Sequence, residues 1–420
     1  MTLSTTPLHQ QTFSLNHRAL ADLLATTENL LIIQDLDGVC MGLVKDPLTR
    51  VIDTKYVKAS QAFDGHFYVL TNGEHIGQRG VNGIIARAGG NGETGYLPGL
   101  AAGGVQWQTR AGEVSHPGVS EAELAFLTAV PERIQARLRE FFKQHDSGLS
   151  EADITQAIAA SALDNVASPT ANLNTLQGIL SNTPKLYLAL QQEMADLMQD
   201  LLKEAADQGL SDSFFVHFAP NLGRDGQGNE VVWYAEEGGS LGTTDFQFML
   251  RGAIKEAGVL ALLNRYYHQR TGAYPLGETF SARSAPQDHD ALLDLVKKFD
   301  PEQMPLMVGV GDTVTSQVVD GEVRRGGSDR NFLQLIQDMG RALGTGNLVV
   351  YVDSSGGEVK RRALTVDTVA GELRVSAGPG DPRDESEPLR LNVVFPGGHK
   401  QYIQTFCAAA RRRQPELFSE

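Results

Sequence analysis

Asp35-Leu36-Asp37-Gly38-Val39 places two carboxylates at positions i and i+2, with a glycine directly behind them. Two negative charges held this close repel unless a cation or a proton is shared. The pair therefore calls for a divalent metal, most simply Mg²⁺, which takes oxygen ligands and keeps phosphate in its shell. Gly38 lets the chain turn sharply after the second acid. Alone, Asp-x-Asp-Gly reads equally well as a solvated turn or a helix cap. Two further segments decide between these readings. Phe67-Tyr68-Val69-Leu70-Thr71-Asn72-Gly73 ends an apolar run in a hydroxyl and an amide, and Leu306-Met307-Val308-Gly309-Val310-Gly311-Asp312-Thr313 ends another in Gly-Asp.

The runs that lead into these groups, Leu30–Ile33 among them, are continuously apolar rather than alternating. That is the signature of parallel strands buried on both faces. Polar groups just past their C-terminal ends then share one edge of an open α/β sheet, where such sheets bind ligands.

The order Asp-x-Asp-Gly-Val, then Thr, then Gly-Asp resembles the haloacid dehalogenase-like phosphatases. The resemblance implies a Rossmannoid parallel-sheet α/β core with a large inserted α+β cap. Asp35 would be the nucleophile, forming an aspartyl-phosphate, and Asp37 the general acid and base. The metal, Mg²⁺, would be held by Asp35, Asp37 (through its backbone carbonyl) and Asp312. Thr71, with the Asn72 amide, would bind phosphate oxygens. Two family features are not obvious here. No acid follows Gly-Asp closely, which leaves Ser316 to position a water or Asp329 to contribute from the next loop. The lysine that offsets the nucleophile and phosphate charges is also unassigned. Lys297 and Lys298 sit at the far end of a helix feeding the Gly-Asp strand and should point to solvent. Arg283 and His289 are better placed, with Arg283 the preferred phosphate binder, and Lys255 or Lys185 could reach in from the cap.

The stretches 34–41, 69–73 and 309–316 are similar, more closely, to the glucosylglycerol-phosphate phosphatases of cyanobacterial salt tolerance. That implies hydrolysis of 2-O-(α-D-glucosyl)-sn-glycerol 3-phosphate to glucosylglycerol, a compatible solute, in the cytoplasm beside the matching synthase. Trehalose- or sucrose-phosphate hydrolysis, and a non-catalytic sugar-phosphate-binding regulator, are the alternatives.

The chain has 420 residues, 41% hydrophobic and 21% charged, as expected of a multidomain globular protein. A net charge of -15 disfavours nucleic acid as a partner. An anionic substrate would need a local cationic pocket and a metal against that field. Two cysteines, Cys40 and Cys407, rule out a disulfide framework and fit a reducing compartment. No apolar stretch reaches membrane-spanning length. Trp107, Trp233 and Tyr234 suit sugar stacking or core packing.

Composition and periodicity divide the chain into a first core part (1–115), a cap (116–280) and a second core part with a C-terminal extension (281–420). Residues 1–15 read as a polar, weakly ordered arm and 74–88 as a helix. In the cap, helices are expected over 121–144, 150–163, 184–208 and 245–269, with strands at 214–218 and 231–234 around a turn at 223–229. A helix at 286–299, strands at 347–353 and 389–395 and a closing helix at 400–413 follow. Gly90–Gly95 matches G-x-G-x-x-G but lacks a framing βαβ unit, and reads as a loop. The polar stretch 376–388 reads as a mobile loop.

Overall fold

The computed structural model describes residues 6–44, 47–77, 79–89, 95–219, 221–224, 229–235, 241–319, 322–359, 361, 363–369, 371–378 and 388–419. The Gly90–Gly95 motif, the 223–229 turn and the 376–388 loop lie largely outside these residues. The chain forms two compact units. The first holds residues 1–75, 81–118 and 252–420; the second holds 76–80 and 119–251.

An eight-stranded sheet organises the first unit. From one edge its strands are Val393–Phe395, Leu348–Val352, Leu306–Gly311, Leu30–Gln34, Phe67–Leu70, Gly99–Ala101, Gln106–Gln108 and Val114–Ser115. The first six run parallel; Gln106–Gln108 turns back antiparallel, and Val114–Ser115 pairs antiparallel to it in turn. Leu30 and Ile32 pack into one hydrophobic cluster, Leu31 and Ile33 into another, so both faces of the strand are covered. This is why the apolar runs do not alternate. The chain order reverses at Leu30–Gln34, which pairs with Phe67–Leu70 on one side and Leu306–Gly311 on the other. The crevice at such a reversal is where α/β sheets carry ligands, and all three motif ends meet there.

The described part of the polar arm is pinned at Phe13 and Ser14 rather than loose. Phe13 and Ser14 donate backbone hydrogen bonds to Leu391 and Asn392, and Val394 donates back to Ser14. The arm thus covers the open edge of Val393–Phe395, satisfying backbone groups an edge strand would expose. Among the described residues of 74–88 the helix is the short Val81–Arg87.

The second unit carries a four-stranded antiparallel sheet ordered Ala162–Leu163, Thr170–Asn172, Asp245–Leu250, Phe214–Ala219. Long helices Glu121–Gln144 and Pro184–Asp207 accompany it. Ser120 and Glu123 form the capping box that starts the first of them. Phe126 of that helix stacks on Phe214 and packs against Phe248 of the sheet.

The expected helix 245–269 is a correction. Residues 245–250 are a strand and the helix is Lys255–Thr271, with Gly252 at φ +86° between them. Phe246, Phe248 and Leu250 are buried with period two, a strand signal that the apolar content of the whole stretch masked. The boundary expected at 280 falls instead between Arg251 and Gly252. Helix Lys255–Thr271 buries Val259, Leu260, Leu262, Leu263 and Tyr266 in a core cluster of the first unit.

Candidate active site

Asp35 follows the central strand and is 5% exposed; Asp312, two residues past Val310 on the neighbouring strand, is 2% exposed. The two carboxylates and that of Asp329 offer oxygen atoms within 4.8 Å of one another. Gly38, at φ +79°, makes this possible, because a Cβ there would collide with the Asp312 carboxylate. Any side chain at position 38 would therefore push Asp312 away from Asp35.

Asp329 is the third acid of the cluster. An antiparallel hairpin, Thr315–Val319 with Glu322–Gly326, separates it from Gly311-Asp312. The chain returns so that Asp329 Oδ2 accepts the backbone N–H groups of Asp312 and Thr313 at 2.9 and 3.0 Å. Gly311 has no side chain where Asp329 approaches; a Cβ there would lie 2.7 Å from that of Asp329. The Ser316 side chain lies outside the described residues.

Of the candidate cations, Lys255 is the one that reaches Asp35. Its Nζ lies 2.6 Å from Asp329 Oδ1 and 3.1 Å from Asp35 Oδ2. As the first residue of its helix, it is aimed by the packing of that helix under the sheet. The other candidates lie elsewhere. Arg283 packs beside Gly118 and Gly252, and His289 pairs with Asp338 at 3.0 Å. Lys297 and Lys298 are exposed, as expected. Lys185 is exposed on the second unit, where it lines a cavity of about 760 Å³ with Trp233 and Tyr234. Trp107 is packed, with the Arg265 guanidinium 4.4 Å above its ring.

The carboxylate cluster divides its protons unevenly. Burial, then the Asp329 charge, pushes Asp35 up to about 7, against the pull of Lys255. The same two causes push Asp312 well above the ordinary carboxylate range. Burial acts on Asp329 as well, but Lys255 and the two backbone donors outweigh it and hold its carboxyl low. Lys255 loses to burial and gains more from Asp329 and Asp35, so it stays charged. Arg361 adds a second cation from outside, donating from Nη1 to Asp312 Oδ2 at 2.9 Å and to Ser354 Oγ at 3.2 Å.

Asp35 Oδ1 is buried and finds no hydrogen-bond partner among the described residues. One oxygen of Asp35 is thus fixed by Lys255 and the other is left without a donor. An unpaired buried carboxylate oxygen inside an all-oxygen donor set fits a hard divalent cation. The Asp37 side chain does not join this cluster. It is partly exposed and pairs with Arg50, Nε to Oδ1, at 3.1 Å. Thr71 is buried at the tip of its strand, its Oγ1 accepting the Gly73 N–H at 3.2 Å, and half-buried Asn72 lies between them in the chain.

A parallel sheet with Asp-x-Asp at the central strand tip, Thr at the next and Gly-Asp with a returning acid at the third defines a haloacid dehalogenase-like phosphatase core. The chain belongs to the glucosylglycerol-phosphate phosphatase family, whose profile matches residues 29–410. It is 62% identical to a glucosylglycerol-phosphate phosphatase of Synechocystis sp. over 416 residues, covering 97% of this chain and 98% of that protein. Among solved structures, the C-terminal domain of Candida albicans trehalose-6-phosphate phosphatase is 12% identical at a TM-score of 0.43, with 95% and 98% of the two chains covered. Aspergillus fumigatus trehalose-6-phosphate phosphatase is 10% identical at a TM-score of 0.39, with 95% and 99% of the two chains covered. The family assignment rests on the sequence relatives.

Proposed function

We propose that the chain is a Mg²⁺-dependent phosphatase that hydrolyses glucosylglycerol phosphate, 2-O-(α-D-glucosyl)-sn-glycerol 3-phosphate, to glucosylglycerol and inorganic phosphate. The observation that carries this reading is the buried Asp35–Asp312–Asp329 cluster with Lys255 on one side of Asp35 only. Asp35 attacks phosphorus, forming an acyl phosphate while the P–O bond to the leaving group breaks. Asp37 gives its proton to the departing glycerol oxygen, then takes one from the water that cleaves the aspartyl-phosphate. Lys255 holds Asp35 oriented and offsets the incoming dianion. Asp35, Asp312 and Asp329, with the Asp37 backbone carbonyl, would hold Mg²⁺. Bound there, the ion would supply charge neutralisation for the phosphoryl oxygens. Free, buried Cys40 and Cys407 support a reducing cytoplasm, alongside the synthase that would make the substrate. Among the described residues no helix is long and apolar enough to cross a membrane.

The test is phosphate release from a panel of glucosylglycerol, trehalose and sucrose phosphates, with and without chelator. Release only from the first, lost on chelation, is expected. Equal rates on all three would remove the substrate assignment, and chelator-insensitive release the metal.

Asp37→Ala is expected to slow glucosylglycerol phosphate about 10²–10³-fold, since removing a general acid costs on this order. p-Nitrophenyl phosphate, whose leaving group needs no proton, should lose much less in the first-turnover release of its alcohol, the step that precedes the shared hydrolysis of the aspartyl-phosphate. Equal losses on both would count against the acid role.

Burial places Asp35 at about 7, above the ordinary 3.8. Between those values the folded chain holds a proton that the unfolded chain has lost, so metal-free stability falls as pH rises through this window. Mg²⁺ must displace that proton. At a fixed concentration Mg²⁺ should therefore raise Tm more at pH 8 than at pH 5.5, a concentration a hundredfold above Kd corresponding to about 2.7 kcal/mol of stabilisation. Calorimetric melts at both pH values check this; an equal gain at both would contradict it.

A further inference from the structure

Arg50 has no role in the chemistry above, yet its position is specific. It follows the short turn Pro47–Thr49 and precedes buried Ile52 and the capped helix Thr54–Ser60, which anchor its backbone. Its Nε lies 3.1 Å from Asp37 Oδ1. An ideal Cβ placed on Gly73 would lie 3.6 Å from Thr71 Oγ1, 3.9 Å from Asp37 Oδ2 and 4.0 Å from Arg50 Nη1. Three functional groups thus converge on the space over the Gly73 Cα. They are a hydroxyl, the outer oxygen of the acid and one arm of a guanidinium.

The two side chains are 18% and 26% exposed, so the pair is mostly buried yet open to solvent on one side. The buried cation of the site, Lys255, is already shared between two aspartates, and Arg361 is committed to Asp312. On a chain of net charge -15, a phosphate dianion entering from solvent needs a cation at the mouth of the site. A guanidinium can serve two acceptors at once, because its donors form a planar fork.

We propose that Arg50 is a further substrate-binding residue: it steers Asp37 through Nε while donating through Nη1 to a phosphoryl oxygen of the substrate over Gly73. This rests on the assignment of Asp37 and Thr71 given above. The geometry also gives Gly73 a purpose, since a methyl group there would occupy the space in which the three groups meet.

The test uses the Mg²⁺-loaded enzyme and inorganic phosphate, the product, as probe. Its binding is measured by calorimetry and by competitive inhibition, beside KM and kcat for glucosylglycerol phosphate. For Arg50→Ala, phosphate affinity should fall about ten- to a hundredfold, as for loss of a charge-assisted hydrogen bond, with KM rising in parallel. Arg50→Lys should recover part of the phosphate affinity, since it keeps the charge but not the fork. Gly73→Ala, a second variant whose methyl meets only ordinary contacts, should raise KM with the melting temperature unchanged. Unaltered phosphate affinity in Arg50→Ala would overturn the proposal while leaving the Asp35 reading intact. Absence of phosphate binding by the unmodified enzyme would overturn both.

Discussion

Asp35→Asn is expected to lower kcat by on the order of 10⁴-fold or more, because the amide is nearly isosteric yet cannot attack phosphorus. Loss of activity alone would not separate a nucleophile from a structural acid, but stability does. Burial and Asp329 make the Asp35 charge unfavourable in the fold, which is why its carboxyl rises to about 7. Replacing it with a neutral amide removes that penalty. The metal-free variant should therefore melt at or above the wild-type temperature at pH 8, where the wild type carries the charge. It should also gain less from Mg²⁺, having lost one anionic ligand of three. An inactive variant of undiminished stability is the pattern of a group placed for chemistry at the expense of the fold. Residual turnover within tenfold of wild type would remove Asp35 as nucleophile. A large drop in melting temperature would make it a structural acid instead.

What the sequence made legible follows from where the information is local. Asp35, Thr71 and Asp312 each end a continuous apolar run, and such a run identifies both a buried parallel strand and the edge at which it stops. The central strands, and hence one face of the site, could be placed from that alone. Asp329 and Lys255 are non-local. The hairpin between Asp312 and Asp329 hides their proximity from any spacing rule. A signal for Asp329 did exist: Phe332, Leu333, Leu335, Ile336 and Met339 follow it at helical spacing, and a helix returning under the sheet begins at the active edge. Lys255 was obscured by reading 245–269 as one helix of the inserted block. Once Asp245–Leu250 is a strand ending at Gly252, the next residues start a new helix at the same edge, with the lysine in first position. Arg50 and Arg361 sit in connections without periodicity, where only coordinates show what they face.

Lys255→Met should be the most disruptive single change to both stability and activity. Methionine fills similar volume but leaves Asp35 and Asp329 buried and facing each other without their shared cation. Removing one partner from a buried ion pair costs about 3–5 kcal/mol, which for a domain of this size lowers Tm by roughly 10 °C. Asp35 would then hold its proton more tightly still, and a protonated carboxyl is no nucleophile. With the electrostatic support of the phosphoryl group also gone, kcat/KM should fall about 10²–10³-fold at neutral pH. The double variant Lys255→Met/Asp329→Asn separates the two effects. It deletes the stranded charge together with its partner, so much of the lost stability should return, and the interaction energy between the two sites should be large. Activity should not return, because neither the lysine at Asp35 nor the third acid is restored. If stability and activity recover together, Lys255 acts only as a structural counter-charge; if neither single nor double variant melts differently from wild type, the Lys255–Asp329 contact does not exist in solution.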